Sequence, residues 1–233
     1  MPSTFDVVFI PALLCDEQLY RDVIASAGDR IVSTVLSSPN PDLAASCADI
    51  LARAPEKFVL VGTSYGGNLA LEIALAAPGR VTGLWLMGCD SGAPQKGGPG
   101  LAAGLEATPD AVIDMLAGLV VRPVDTASAA VFKQMASRVG ATAGAAQARS
   151  LGTREDRTGR LGELAMPVLL TWGADDALVS PARGEDMERR IPHATLHVLA
   201  DCGHLPTLEQ PRRSAALFSG LLQQVAAAAQ AST

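Results

Sequence analysis

Short apolar runs alternate with segments of helical period from the N-terminus to about residue 90, and again from about residue 161 to the end of the chain. The runs at 6–11, 31–36, 57–62, 82–87, 167–172 and 195–200 predict six strands. Several are unbroken rather than alternating, as expected for strands covered on both faces. Between them the pattern predicts helices near 43–54, 65–77 and 181–190, and a long one after Pro211. Ser180-Pro181 adds an N-cap followed by proline at the first helical position. Strand–helix alternation of this kind predicts an α/β fold, a mainly parallel, doubly wound sheet of about six strands with helices on both sides.

The rhythm stops between Asp90 and Met166. "DSGAPQKGGPG" is a Gly/Pro-rich exit, and three helix-like segments follow with no strand between them. The second opens at Thr108-Pro109, and the third runs from near Asp125 to just before Gly140. About seventy residues of helix between two sheet strands predict a helical lid, residues 91–160, inserted into a core made of 1–90 and 161–233. The tail "QQVAAAAQAST" reads as a fraying helix end.

Composition narrows the classes. With 48% apolar and 18% charged residues in 233, the chain can build one large α/β core. A net charge of −6 and the absence of any basic block argue against nucleic acid or an anionic membrane surface as partner. The apolar run at 7–15 is preceded by Asp6 and interrupted by Pro11, which is not the layout of a secretory signal, and no run is long enough to span a membrane. Cys15, Cys47, Cys89 and Cys202 are scattered, without C-x-x-C or disulfide-framework spacing, so the expectation is a reduced, cytoplasmic protein. No P-loop or dinucleotide fingerprint is present, and neither a metal nor an organic cofactor is expected.

The candidate chemistry begins at "VLVGTSYGGNLALEIA", residues 59–74. Gly62-Thr63-Ser64-Tyr65-Gly66 lies between a buried strand and a helix, the context in which G-x-S-x-G lifts a nucleophilic serine out of a sharp, strained turn. The following helix N-terminus points amides and positive dipole toward a developing oxyanion. Of three histidines, His193 and His197 lie at and within a strand, about 13 Å apart on an extended chain and so too distant to share a metal. His204 instead follows a strand in "ADCGHLPTLEQP", at the sheet edge where open α/β sheets carry their sites. It is the candidate base. Asp175 and Asp176 in "PVLLTWGADDALVSP" are candidate acids, in the chain order nucleophile, acid, base.

With these parts the chain resembles the α/β-hydrolase superfamily over nearly its whole length. The resemblance rests on "GTSYGG", "WGADDALVSP", "CGHLPTLEQP" and an early "FIPALLCDEQLY" similar to a Leu-Pro-Gly-x-Leu-Cys-Asp variant among small hydrolases. It also extends to "MASRVG…QARSLGTREDR". The resemblance implies Asp176 as the acid, the third residue after the strand-ending Gly173, with Asp175 in reserve and Asp90 as the arrangement of a minority of members. It implies the N–H groups of Leu13 and Tyr65 as the oxyanion hole, with Leu14 the alternative to Leu13. Pro11-Ala12 replaces the usual His-Gly of the oxyanion loop, a departure that leaves the backbone donors in place. By the same resemblance the family's first two strands are expected to be missing, so six parallel strands are expected.

The implied activity is hydrolysis of a small to medium carboxylic ester through a Ser64–His204–Asp176 triad and an acyl-enzyme, with a small acyl compound as partner. Thioester hydrolysis, acyl transfer and carbon–carbon bond hydrolysis use the same triad, and a non-turnover receptor is the non-enzyme alternative. Arg122, Lys133, Arg138, Arg149 and Arg154 of the lid are candidates to meet a substrate carboxylate.

Overall fold

A computed structural model describes residues 4–94 and 98–231. Six strands form one fully parallel sheet: β1 (Phe5–Ile10), β2 (Ile31–Val35), β3 (Phe58–Thr63), β4 (Val81–Met87), β5 (Val168–Gly173) and β6 (Ala194–Leu199). Their order is β2-β1-β3-β4-β5-β6, so the chain turns around beside β1 and then runs steadily toward β6. Each predicted strand lies within one residue of its observed position.

Period-two alternation along the central strands feeds two separate apolar layers. Val7, Phe9, Val59, Val61, Trp85 and Met87 face one layer, where α1 (Arg21–Ala27) and α10 (Pro211–Ala231) cover the sheet. Val8, Ile10, Leu60, Leu84 and Leu86 face the other, under α2 (Leu43–Arg53), α3 (Tyr65–Ala76) and α8 (Pro181–Arg190). All six residues of β3 and of β5 are buried, whereas the edge strands β2 and β6 are largely not. This is why the inner strands read as continuous apolar runs. The short α1 was not among the predicted helices; its seven residues carry too few turns for a clear period.

Between β4 and β5 the described residues make four α-helices: α4 (Gly98–Ala107), α5 (Pro109–Val120), α6 (Thr126–Val139) and α7 (Ala141–Gly152). The sequence reading found three of them. Gly140, at φ 81°, ends α6 and at once begins α7, so two helices meet with no loop to separate their patterns. Asp125 starts α6 as expected, its carboxylate accepting the Ser128 N–H at 2.9 Å. Leu105, Phe132, Met135 and Ala145 bury the insertion's apolar faces in the layer shared with α1 and α10. Part of the exit, residues 95–97, lies outside the described residues.

The helix α9 (Pro206–Glu209) follows β6 and leads into α10. No helix among the described residues is long and apolar enough to cross a membrane.

Candidate active site

Ser64 sits at the join of β3 and α3 with φ 55° and ψ −115°, a conformation that costs a non-glycine residue about 1–3 kcal/mol. The surrounding glycines explain how the turn closes. A Cβ at Gly66 would collide with the carbonyl oxygens of Ile10 and Pro11, and one at Gly62 with the carbonyl of Gly66. The elbow is therefore pressed against the end of β1. Ser64 N–H donates to Met87 O at 2.7 Å, which ties the turn to β4, while its hydroxyl does not cap α3. The first N–H groups of α3 consequently have no intrahelical acceptor.

His204 and Asp176 meet. His204 Nδ1 lies 2.7 Å from Asp176 Oδ2, and the two side chains are 2% and 0% exposed. Asp176 Oδ1 accepts the N–H groups of Leu178 and Val179, both at 2.9 Å, so neither carboxylate oxygen is free to turn. A carboxylate at Nδ1 favours the tautomer that donates from Nδ1, which leaves Nε2 as the nitrogen directed away from Asp176. His204 Nε2 is buried and has no partner; it makes no hydrogen bond to Ser64 in this structure. The structure thus joins two of the three triad candidates, and no hydrogen bond among the described residues links Ser64 to them.

Neither alternative acid makes a hydrogen bond or ion pair with His204 among the described residues. Asp175 is exposed, and its N–H donates to Cys202 O at 2.9 Å. Asp90 Oδ1 accepts the Gly92 N–H at 2.9 Å, and its other oxygen lies 3.5 Å from Arg183 Nε. His193 is an exposed turn residue at φ 61°, and His197 lies on the edge strand β6. Among the described residues no cluster of His, Cys, Asp and Glu is grouped as metal ligands would be.

The β1–α1 loop holds Leu13 and Leu14, the residues expected to offer an oxyanion donor. Cys15 N–H donates to Ala12 O at 3.0 Å, closing a β-turn whose central residues are Leu13 and Leu14. Leu14, at φ 61°, occupies the position that normally demands glycine in a type II turn, at a cost of about 1–2 kcal/mol. Its N–H donates to Gln147 Oε1 of α7 at 2.9 Å. That bond removes Leu14 from the candidate donors, whereas Leu13 N–H makes no hydrogen bond among the described residues. Tyr20 supports the same region: its hydroxyl donates to Ile10 O and meets Thr63 Oγ1, each at 2.8 Å, bridging the ends of β1 and β3.

Three supporting residues were missed by sequence reasoning. Gly88 follows β4 at φ 52°, and a Cβ there would lie 2.8 Å from His204 Cε1; a glycine directly after a predicted strand was the available signal. Glu209 gathers the N–H groups of Gly203 at 2.9 Å, Leu205 at 3.4 Å and Arg122 at 3.0 Å, bracketing His204. Desolvation holds its carboxyl above the ordinary 4.5 despite these three donors. Gln147 carried no signal at all, because its partner is 133 residues away.

The insertion's cations have partners within the chain, some in the insertion and some in the core. Lys133 pairs with Asp114 at 2.6 Å, Arg138 with Asp16 at 2.6 Å and Gln18 at 2.6 Å, and Arg149 with Glu106. Arg122 reaches Asp201 at 3.1 Å, and Arg154 donates to the carbonyls of Gly92 and Ala93 at 2.9 and 3.3 Å. All four cysteines are free and buried, and burial pushes the thiols of Cys47 and Cys89 up to about 12, far from thiolate chemistry.

Comparison with known proteins places this geometry in a family. The model of the alpha/beta hydrolase family matches residues 11–217. The chain belongs to that family. Among curated relatives, a 2-hydroxy-6-oxononadienedioate/2-hydroxy-6-oxononatrienedioate hydrolase of Dechloromonas aromatica (strain RCB) is 32% identical over 165 residues, covering 64% of this chain and 56% of the relative. This chain thus spans little more than half the length of that enzyme. A pimeloyl-[acyl-carrier protein] methyl ester esterase of Aromatoleum aromaticum is 29% identical over 204 residues, covering 78% of this chain and 81% of the relative. Among solved structures, the enol-lactonase from Burkholderia xenovorans LB400 matches with a TM-score of 0.86 at 14% identity, covering 95% of this chain and 92% of that one. A thermophilic esterase from Thermogutta terrifontis matches with a TM-score of 0.83 at 22% identity, covering 97% and 92%. These two likenesses concern the fold. The six-stranded parallel sheet of this chain agrees with that family.

Proposed function

We propose that this alpha/beta hydrolase is a serine esterase acting on a small to medium carboxylic ester, with Ser64 as nucleophile, His204 as base, Asp176 as its orienting acid, and the amides of Leu13 and Tyr65 as oxyanion hole. The observation that carries the reading is the buried His204–Asp176 pair, 2.7 Å apart, with Nε2 left unpaired. His204 Nε2 takes the Ser64 hydroxyl proton as Oγ bonds to the acyl carbon, and the carbonyl electrons move onto oxygen against the two amides. Collapse of the tetrahedral species expels the alcohol, which leaves with the proton held by His204. Water, deprotonated in turn by His204, then frees the carboxylic acid and returns the proton to Ser64. The helices of residues 91–160 act as a lid over this site.

Relatives of two chemistries bear on the substrate, one named for a dioate hydrolase and one for a methyl ester esterase. The lid cations favour the ester. Each of the five already has a carboxylate or carbonyl partner within the chain, leaving none dedicated to a dianionic substrate. Hydrolysis of a carbon–carbon bond next to a carbonyl is the second reading, supported by the similarity to the dioate hydrolase.

The test is labelling by a fluorophosphonate, followed by p-nitrophenyl esters of increasing chain length. Labelling lost in Ser64→Ala, with multiple turnovers highest on short to medium acyl chains, is the expected result. Stoichiometric labelling without ester turnover would point to a receptor, and turnover of a vinylogous dioate in preference to every ester would favour the second reading.

A further inference from the structure

The type II turn at Ala12–Cys15 has a feature that its own sequence does not explain. Leu14 stands where glycine is normally required, and nothing within the turn compensates a side chain at φ 61°. In the alternative type I turn the Leu13–Leu14 peptide is flipped by about half a revolution and Leu14 takes a negative φ, which a leucine prefers. The two turns share the same closing bond from Cys15 N–H to Ala12 O, so that bond does not choose between them. The choice is made from outside. Gln147, 3% exposed, accepts the Leu14 N–H at 2.9 Å, and flipping the peptide would turn the Leu13 carbonyl oxygen toward the acceptor instead.

Two further contacts brace the same loop. Leu14 packs over Gly144, one turn before Gln147 on α7. Arg138 of α6 grips Asp16 with two nitrogens, at 2.6 and 3.1 Å, just past the turn. The turn in question holds the one amide of this loop proposed to face the oxyanion, and it lies against the elbow, where the Ile10 and Pro11 carbonyls meet Gly66.

We propose that Gln147 is the positioning residue of the oxyanion hole: from α7 it holds the Leu14 N–H, pins the Ala12–Cys15 turn in its type II form and so keeps Leu13, whose own N–H belongs to the preceding peptide, in register with the amide of Tyr65. This rests on the esterase reading above. Its corollary is that the lid is coupled to the chemistry, because displacing α7 withdraws the acceptor and releases the peptide. The neutral amide suits the task, since an acceptor with no ionisable group keeps the lock independent of pH.

The experiment uses Gln147→Met, which keeps length and apolar packing but loses the strong acceptor, beside Gln147→Glu, which retains an oxygen acceptor in either protonation state. Each is assayed on p-nitrophenyl butyrate, inhibited with an aliphatic trifluoromethyl ketone whose tetrahedral adduct places an oxyanion in the hole, and checked for fold by thermal denaturation. Removing one oxyanion donor outright lowers kcat by about 10²–10³-fold, so misplacing one should lower kcat by about 10–10²-fold in Gln147→Met with KM within about twofold. The ketone Ki should rise in parallel, and Gln147→Glu should recover most of both. A merely structural role would lower the melting temperature without linking Ki to kcat. The crystal structure of Gln147→Met provides a readout that needs no substrate: Leu14 at negative φ is expected, and Leu14 still near 61° would overturn the lock. Unchanged kcat and Ki in Gln147→Met, with Ser64→Ala inactive, would sink this proposal and leave the esterase reading standing. A wild-type protein that turns over no ester would sink the esterase reading, and the crystal structure would still decide the lock.

Discussion

The loops after β1 and β6 carry the proposed oxyanion donor and the proposed base, and the insertion holds both loops, by opposite means. In the β1–α1 loop a strained turn is held by a neutral side chain, Gln147, reaching out from α7. In the β6–α9 loop the insertion offers backbone: Val120 O accepts the His204 N–H at 3.1 Å, and Arg122 N–H joins Gly203 and Leu205 on the Glu209 carboxylate. One loop is fixed by an amide that never changes charge, the other by a carboxylate whose pKa desolvation raises above its ordinary value. The contrast teaches that a helical insertion can order an active site from two sides, and that the two attachments should fail under different conditions.

The largest effects belong to the groups both loops serve. Ser64→Ala should lower kcat by on the order of 10⁶-fold with an unchanged melting curve, because triad members act as a unit. Residual turnover above a tenth of wild type would mean that neither loop is organised around this serine.

On the histidine side alone, Asp176→Asn should cost about 10⁴-fold in kcat by favouring the wrong imidazole tautomer. Asp175→Asn and Asp90→Asn, measured on the same ester, should stay within about tenfold of wild type, because one is exposed and the other is held by Gly92 and Arg183. Were Asp90→Asn the damaging change, the base would be oriented from β4 and not from the loop after β5.

Gly88→Ala sharpens the same side at a smaller scale. The added methyl would press on the His204 ring at 2.8 Å and strain a backbone at φ 52°. A displacement of the base by a fraction of an ångström should cost about 10²-fold in kcat, with a modest rise in KM. A crystal structure showing the ring unmoved would remove Gly88 from the account.

The smallest effect separates the two attachments by pH. The folded protein raises the Glu209 pKa, so the associated stabilisation is complete below about pH 4.5, the ordinary glutamate value, and is lost as pH rises through the higher folded value. The melting temperature of wild type relative to Glu209→Gln should therefore be most favourable near pH 4 and fall toward pH 7. Glu209→Gln should also lower kcat about tenfold, since its amide nitrogen would face a backbone N–H in place of a carboxylate oxygen. The difference between wild type and Gln147→Met should show no such pH dependence. A flat Glu209 difference would erase the distinction between the loops.

What the chain determined by itself was whatever depends on neighbours close in sequence. Apolar runs such as 57–62 specify buried strands, Asp125 and Ser180-Pro181 mark helix starts, and Gly62 and Gly66 permit the turn that strains Ser64. The order of Ser64, Asp176 and His204, each just past a strand, was equally legible, because a parallel sheet carries every such loop to the same edge. The tertiary structure decided what depends on partners far apart. Between Leu13 and Leu14 the donor register stayed open until Gln147, distant in sequence, was seen to occupy one of the two amides. Between Asp175 and Asp176 local residues left both available, and the direction of one strand exit relative to a ring 28 residues later made the hydrogen bond. Hydrogen bonds of this length tolerate errors of only tenths of an ångström. Local propensity places a residue on a loop; only the packed sheet and helices hold two loops together that closely.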